Sequence, residues 1–159
     1  MTSSIRFARP DEVQLIYQFI KDLSIYEKME HRMVTTPEAL YQALFVHRRA
    51  EVIFLFEHET PVGFALFFHN FSTFLGKAGL YLEDLFVYPA YRRKGYGKAL
   101  FLHLVQLAVE RGCGRMEWSC LDWNTPSIDF YRSLGAVPMS EWTVYRLTET
   151  QLKKLSVNA

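Results

Sequence analysis

The stretch Tyr81–Ala99, Y-L-E-D-L-F-V-Y-P-A-Y-R-R-K-G-Y-G-K-A, constrains this chain more than any other. It reads as a buried strand carrying two acids, a sharp turn at Pro89, and a basic loop with two glycines that opens a long apolar helix. The first N–H groups of a helix have no intrahelical partner, and the helix dipole favours an anion there. Arg92, Arg93, Lys94, Gly95, Tyr96, Gly97 and Lys98 occupy that position. Gly95 and Gly97 lack a Cβ, so the backbone can take positive φ and approach a ligand closely, while the flanking cations supply charge. The expected ligand is a phosphate or pyrophosphate. A dinucleotide fingerprint is excluded because the third glycine is missing after Gly97, and a P-loop because Arg92 and Ala99 stand where it needs Gly and Ser or Thr.

The chain of 159 residues, 50% of them hydrophobic, is the size of one ordinary domain with a sizeable core, so a single domain over residues 1–159 is expected. Eighteen Lys and Arg against 17 Asp and Glu leave a formal net charge of +1, which gives no field to draw the protein to nucleic acid or to a membrane surface. The start lacks a signal-peptide pattern and no apolar run approaches a membrane span, so a cytoplasmic protein is expected. Cys113 and Cys120 form neither a disulfide framework nor metal-ligand spacing, the histidines are scattered, and no metal is expected.

Ile5–Ala8 reads as a strand leading into a helix with apolar Val13, Ile16, Phe19, Ile20 and Leu23 at helical spacing. Thr35-Thr36-Pro37-Glu38 starts a second helix running to about Val46. Glu51–Glu57 and Val62–His69 form a hairpin, Leu80–Tyr88 a third strand of the meander, Ala99–Val109 a largely buried helix and Met116–Leu121 a strand. Asn124-Thr125-Pro126-Ser127 opens another helix stopped by Gly135, Trp142–Leu147 is a last strand, and residues 148–159 form a polar tail. The order β-α-α-β-β-β-α-β-α-β predicts an α/β (α+β) fold with a mixed, mostly antiparallel sheet flanked by helices.

Arg92-Arg93-Lys94-Gly95-Tyr96-Gly97 resembles the R-x-x-G-x-G/A signature of the GNAT superfamily of acyl-CoA N-acyltransferases, and the element order matches that fold. The segment from Asn124 to Ala136 resembles the family's N-x-x-S/A-x-x-F-Y-x-x-x-G-F/A motif. The resemblance implies that the basic loop holds the pyrophosphate of coenzyme A. It implies that backbone N–H groups of Leu85, Phe86 and Val87 take the pantetheine and thioester carbonyl, that Asn124 and Ser127 contact the cofactor, and that Tyr131 protonates the departing thiolate. Acetyl-CoA is then the co-substrate.

An alkyl amine with an ordinary pKa near ~10.4 is protonated at neutral pH, so a base has to accept its proton before attack. Glu83 and Asp84 are consecutive in an apolar strand, where strict alternation sends them to opposite faces and where a buried acid is costly unless paired or functional. Glu83 is taken as the base, directly or through water, and Asp84 as the group that attracts a cationic substrate.

Tyr26-Glu27-Lys28-Met29-Glu30, Gly76-Lys77, Tyr81-Leu82-Glu83-Asp84 and Trp123-Asn124 resemble the spermidine/spermine (diamine) acetyltransferase branch and its thialysine-acetylating relatives. That resemblance implies that Tyr26, Glu27 and Glu83 line the amine site, that Glu117, Trp118 and Ser119 touch substrate, and that the protein is a homodimer. Ser72 stands where the polyamine enzymes carry an acid, and only Glu141 remains of an acidic pair near Trp142, so a small diamine or a lysine-like amino acid is as plausible as a polyamine. Three rival readings stand beside this one. They are acetylation of a protein lysine or N-terminus, a non-catalytic coenzyme A-binding module, and a nucleic-acid module built on the basic loop, which the neutral net charge disfavours.

Overall fold

The computed structural model describes residues 2–157; Met1 and the last two residues of the expected tail lie outside that description. The chain groups into two compact units, Met1–Ser119 and Cys120–Ala159.

The first unit is built on a five-stranded sheet of β1 (Ser3–Phe7), β2 (Glu51–Glu57), β3 (Thr60–Ser72), β4 (Lys77–Val87) and β5 (Arg115–Trp118), in that spatial order. The first four strands pair antiparallel, and β5 runs parallel to β4. Its helices are α1 (Val13–Tyr26), α2 (Pro37–Tyr41), which runs on into a π turn at Gln42–Val46, and α3 (Tyr96–Glu110). Thr36 caps α2 by accepting from the Ala39 N–H at 3.2 Å. Gly112, at φ 72°, ends α3 with its N–H on the Val109 carbonyl, while the Cys113 N–H reaches back to Ala108. The expected hairpin joins β2 to β3 through His58, whose N–H donates to the Thr2 carbonyl.

Period-2 alternation divides the sheet's side chains between two layers. Ile16, Phe19 and Leu23 of α1 and Leu44 pack on Val52, Phe54, Phe64, Leu66 and Phe86. Phe19 stacks at 4.9–5.8 Å on Phe54, Phe64 and Tyr88. The intervening positions Ile53, Leu55, Ala65, Phe67 and Leu82 are buried on the other face with Leu100, Phe101 and Leu104 of α3. One irregularity decides the site. Leu66 pairs with Asp84 but Phe67 with Leu82, so Glu83 is an extra residue in β4, a bulge.

The second unit carries α4 (Thr125–Ser133) and α5 (Glu149–Ser156). α4 opens as its sequence requires, with the Asn124 side chain accepting from the Ser127 N–H at 3.4 Å and Pro126 in the first turn. The expected last strand, Trp142–Leu147, is not formed, which corrects the final β of the element order. Val144 and Tyr145 are 84% and 91% exposed. Apolar alternation fits a residue to a pleated surface, but a strand exists only once another strand takes its hydrogen bonds. The tail after it is helical, closed by a capping box between Thr148 and Gln151.

β1 is tied to the entry of α1 by Arg6, whose two terminal nitrogens each donate to Glu12 at 2.8 Å. That bond holds the Glu12 carboxyl down at about 2. A depressed carboxylate stabilises the fold at pH above its ordinary value and loses that contribution as pH falls toward its folded value. Glu12→Gln should therefore lower stability by about 1–2 kcal/mol at pH 7, discounted for exposure, and by far less near pH 2.5, as read by urea unfolding at both pH values.

Candidate active site

The loop before α3 has the shape of an anion cradle. Arg93 at φ 64° and Gly95 at φ 80° both sit in the left-handed region, which turns successive N–H groups toward one side. The N–H groups of Arg93, Lys94, Gly95, Gly97 and Lys98 donate to no protein acceptor among the described residues. Arg93 and Lys98 are exposed at its mouth.

Three side chains of the loop are already engaged. Lys94 Nζ donates to Glu57 Oε1 at 2.9 Å and the buried Tyr96 hydroxyl donates to the same oxygen at 2.6 Å. The Glu57 carboxyl is thereby held below its usual range, and the Tyr96 phenol is pushed up to about 12. Glu57, the last residue of β2, was not anticipated from sequence; nothing local distinguishes it, and only strand order brings it under the loop. Arg92 also turns away from the cradle. Its Nε donates to the Val87 carbonyl at 2.9 Å, and its guanidinium lies 4.5 Å from the centre of the Tyr26 ring and 5.5 Å from that of Phe86.

β4 leads into this loop and carries the acids. Pairing between β4 and β5 stops at Leu82–Trp118, so within Met1–Ser119 no strand pairs with the β5 side of Leu85, Phe86 and Val87, where the Val87 carbonyl takes the Arg92 side chain instead. The side chains of Phe86 and Val87 are buried and that of Leu85 faces Gly97 at the start of α3. The bulge breaks the alternation expected for Glu83 and Asp84. Asp84, opposite Leu66, joins the α1 face, and Glu83 is an exposed residue with no partner on β3. Burial raises Asp84 to about 7, and the carboxylates of Glu83 and Glu27 add to the shift. Glu27, just past the end of α1, is raised by burial and then by Glu83. No cation pairs with any of the three among the described residues. No group of His, Cys, Asp and Glu among those residues is arranged to hold a metal ion.

Of the other expected substrate residues, Tyr26 packs on Phe86 with ring centres 6.0 Å apart, close to this cluster. Glu117 and Ser119 extend the same face across β5. Tyr81, paired with Glu117, bonds through its hydroxyl to Ser119 Oγ at 2.9 Å. Trp118 does not join them. It pairs with Leu82 on the opposite face and meets Phe101 of α3 edge-on at 5.0 Å. In the second unit Asn124 and Ser127 form the cap of α4, and Tyr131 lies on that helix with Phe130, ring centres 5.5 Å apart.

The sequence pattern of the acetyltransferase (GNAT) family matches residues 15–136. The chain is 33% identical to an L-ornithine N5-acetyltransferase of Arabidopsis thaliana, over 98% of this chain and 88% of the relative. It is 31% identical to a thialysine N-epsilon-acetyltransferase of Caenorhabditis elegans, over 92% of each. A V. cholerae integron cassette protein superposes with a TM-score of 0.81 at 28% identity, over 98% of both chains.

The acid cluster has a stability signature. Asp84 keeps its proton in the folded state up to about 7 but loses it near 3.8 when unfolded, so the fold is progressively penalised as pH rises between those values. Asp84→Asn should raise stability by about 1–3 kcal/mol at pH 8 and change it little at pH 4. Thermal unfolding at the two pH values checks this; a gain of equal size at both would mean that charge burial is not the cause.

Proposed function

The chain belongs to the acetyltransferase (GNAT) family, and we propose that residues 1–159 act as one cytoplasmic, homodimeric N-acetyltransferase domain. Its reaction moves an acetyl group from acetyl-CoA to a primary amine of a small cationic acceptor, by direct attack in a ternary complex. The acceptor is a diamine, a polyamine or a lysine- or thialysine-like amino acid. The observation that carries this reading is the cluster of Glu27, Glu83 and Asp84, unpaired acids on the strand that runs directly into an anion cradle.

Acetyl-CoA supplies the acetyl group as a thioester. The N–H groups of Arg93, Lys94, Gly95, Gly97 and Lys98 suit its diphosphate, with Arg93 and Lys98 as the available charges. Lys94, Tyr96 and Arg92 serve by shaping the loop, since Glu57 and Val87 already hold their side chains. The open backbone edge from Leu85 to Val87 suits the pantetheine amides and the thioester carbonyl.

Glu83, exposed on the bulge, meets the ammonium first and takes its proton directly or through water. Asp84 behind it makes the cluster a better acceptor than an isolated carboxylate, because a base near 7 is closer to the amine's own pKa than one near 4. The new C–N bond forms as the C–S bond breaks, the second proton lost by the nitrogen passes to solvent, and Tyr131 gives its phenolic proton to the thiolate and recovers one from solvent. Asn124 and Ser127 secure the start of the helix that bears Tyr131 and contact the cofactor. Names of the relatives support the acceptor class, since they acetylate ornithine and thialysine, both amines on short chains.

Free-thiol release from acetyl-CoA, measured across diamines, polyamines, basic amino acids and a histone-tail peptide, tests the reading. Small amines should be turned over and the peptide should not; peptide turnover alone would favour protein acetylation instead. Tyr131→Phe should lower turnover by about 10² to 10⁴ while leaving acetyl-CoA affinity within a few-fold, and an undiminished rate would remove Tyr131 from the mechanism.

A further inference from the structure

The acceptor face does not end at the acids. Phe68, Tyr81 and Glu117 are register partners across β3, β4 and β5, and so are Asn70, Gly79 and Arg115. Paired residues share a face, and the bulge puts Asp84 on it as well. Beyond the edge of the α1 core this face is open: the side chains of Arg115 and Glu117 are 41% and 35% exposed.

At its far end sits a zwitterion. Arg115 Nε lies 3.1 Å from Glu117 Oε1, and Asn70 Nδ2 donates to the same oxygen at 3.3 Å. Gly79 makes the arrangement possible, because a Cβ there would run into the Asn70 amide oxygen, which lies flat over it. The Asn70 amide oxygen is buried over Gly79 without a hydrogen-bond partner among the described residues, and its Nδ2 faces Glu117. One carboxylate oxygen thus serves both neighbours, leaving Glu117 Oε2 and both Nη atoms of Arg115 without a hydrogen-bond partner among the described residues.

On the acetyl-transfer reading above, we infer that Arg115 and Glu117 are specificity-determining residues that receive the α-carboxylate and α-ammonium of a basic α-amino acid, whose side-chain amine reaches the Glu83–Asp84 bulge. The strand spacing from Glu117 to Asp84 corresponds to about 10 Å. An extended ornithine or lysine covers that distance with a hydrogen bond at each end. The charges select as well as attract. A second ammonium, as on a diamine, would face the Arg115 guanidinium and find Glu117 already neutralised, whereas an amino-acid head group matches both charges.

The test compares kcat/KM for L-ornithine and L-lysine with their decarboxylated counterparts, putrescine and cadaverine, and with L-lysine methyl ester. The native enzyme should favour the free amino acids at least tenfold, mostly through KM, and the ester should lose most of that preference. Arg115→Met should lower amino-acid kcat/KM by about 10- to 100-fold and raise that for the diamines, cutting the ratio between them. The ester comparison stands even if that variant folds poorly. Diamines used as well as amino acids by the native enzyme, or an undiminished ratio in Arg115→Met, would overturn this inference alone. Thiol release with none of the small amines would take down the acetyl-transfer reading and this inference with it.

Discussion

A single unpaired residue in β4 sets the geometry on which the rest depends. Side chains of a strand alternate strictly, so without the bulge Asp84 would share the face of Leu82, beneath α3 and among Phe67, Leu100 and Phe101. Inserting Glu83 shifts the parity at mid-strand. Leu80 and Leu82 below it and Leu85 and Val87 above it can then all serve the α3 layer. Asp84 and Phe86 turn to the α1 layer, in line with Tyr81. The same irregularity comes where β5 stops pairing, so the strand presents carboxylates and open backbone at one level.

The division of charge follows from the topology. Cations collect where α3 begins, and acids where α1 ends, with β4 running from one to the other. Within the loop the anion is met chiefly by backbone N–H groups, because the cations nearest to it are partly spent: Glu57 takes Lys94, and Arg92 is stacked on the Tyr26 and Phe86 rings. Backbone donors fixed by two left-handed residues need no reordering when an anion arrives, whereas long cationic side chains do.

Much of this was legible from residues alone. Helix starts at Thr36-Pro37 and Asn124-Thr125-Pro126 and the stop at Gly135 followed from capping chemistry, which is local. The meander followed from apolar runs and turns. Side-chain partners that depend on register did not, which is why Glu57, Asn70 and Arg115 were missed and why nothing in the sequence put Trp118 against Phe101 of α3. The bulge did leave a trace: the apolar series Leu80, Leu82, Leu85, Val87 steps by two, three and two, a break that an uninterrupted strand would not carry. Trp142–Leu147 failed for the opposite reason, since its pattern suited a strand but pairing is not encoded in the segment itself.

The acids themselves argue for a site rather than a structural network. Glu12, Glu51, Glu57 and Glu117 each face a cation: Arg6, Arg111, Lys94 and Arg115. The fold thus supplies cations to several of its less exposed carboxylates. Glu27, Glu83 and Asp84 are left without one among the described residues, with burial and the neighbouring carboxylates raising the proton affinity of Asp84 and Glu27, although Arg92 is held nearby against Tyr26 by its stacking and its bond to Val87. A cluster that destabilises the empty fold becomes favourable only when positive charge enters from outside. A cationic amine supplies that charge, and yielding its proton to the same cluster turns it into a nucleophile.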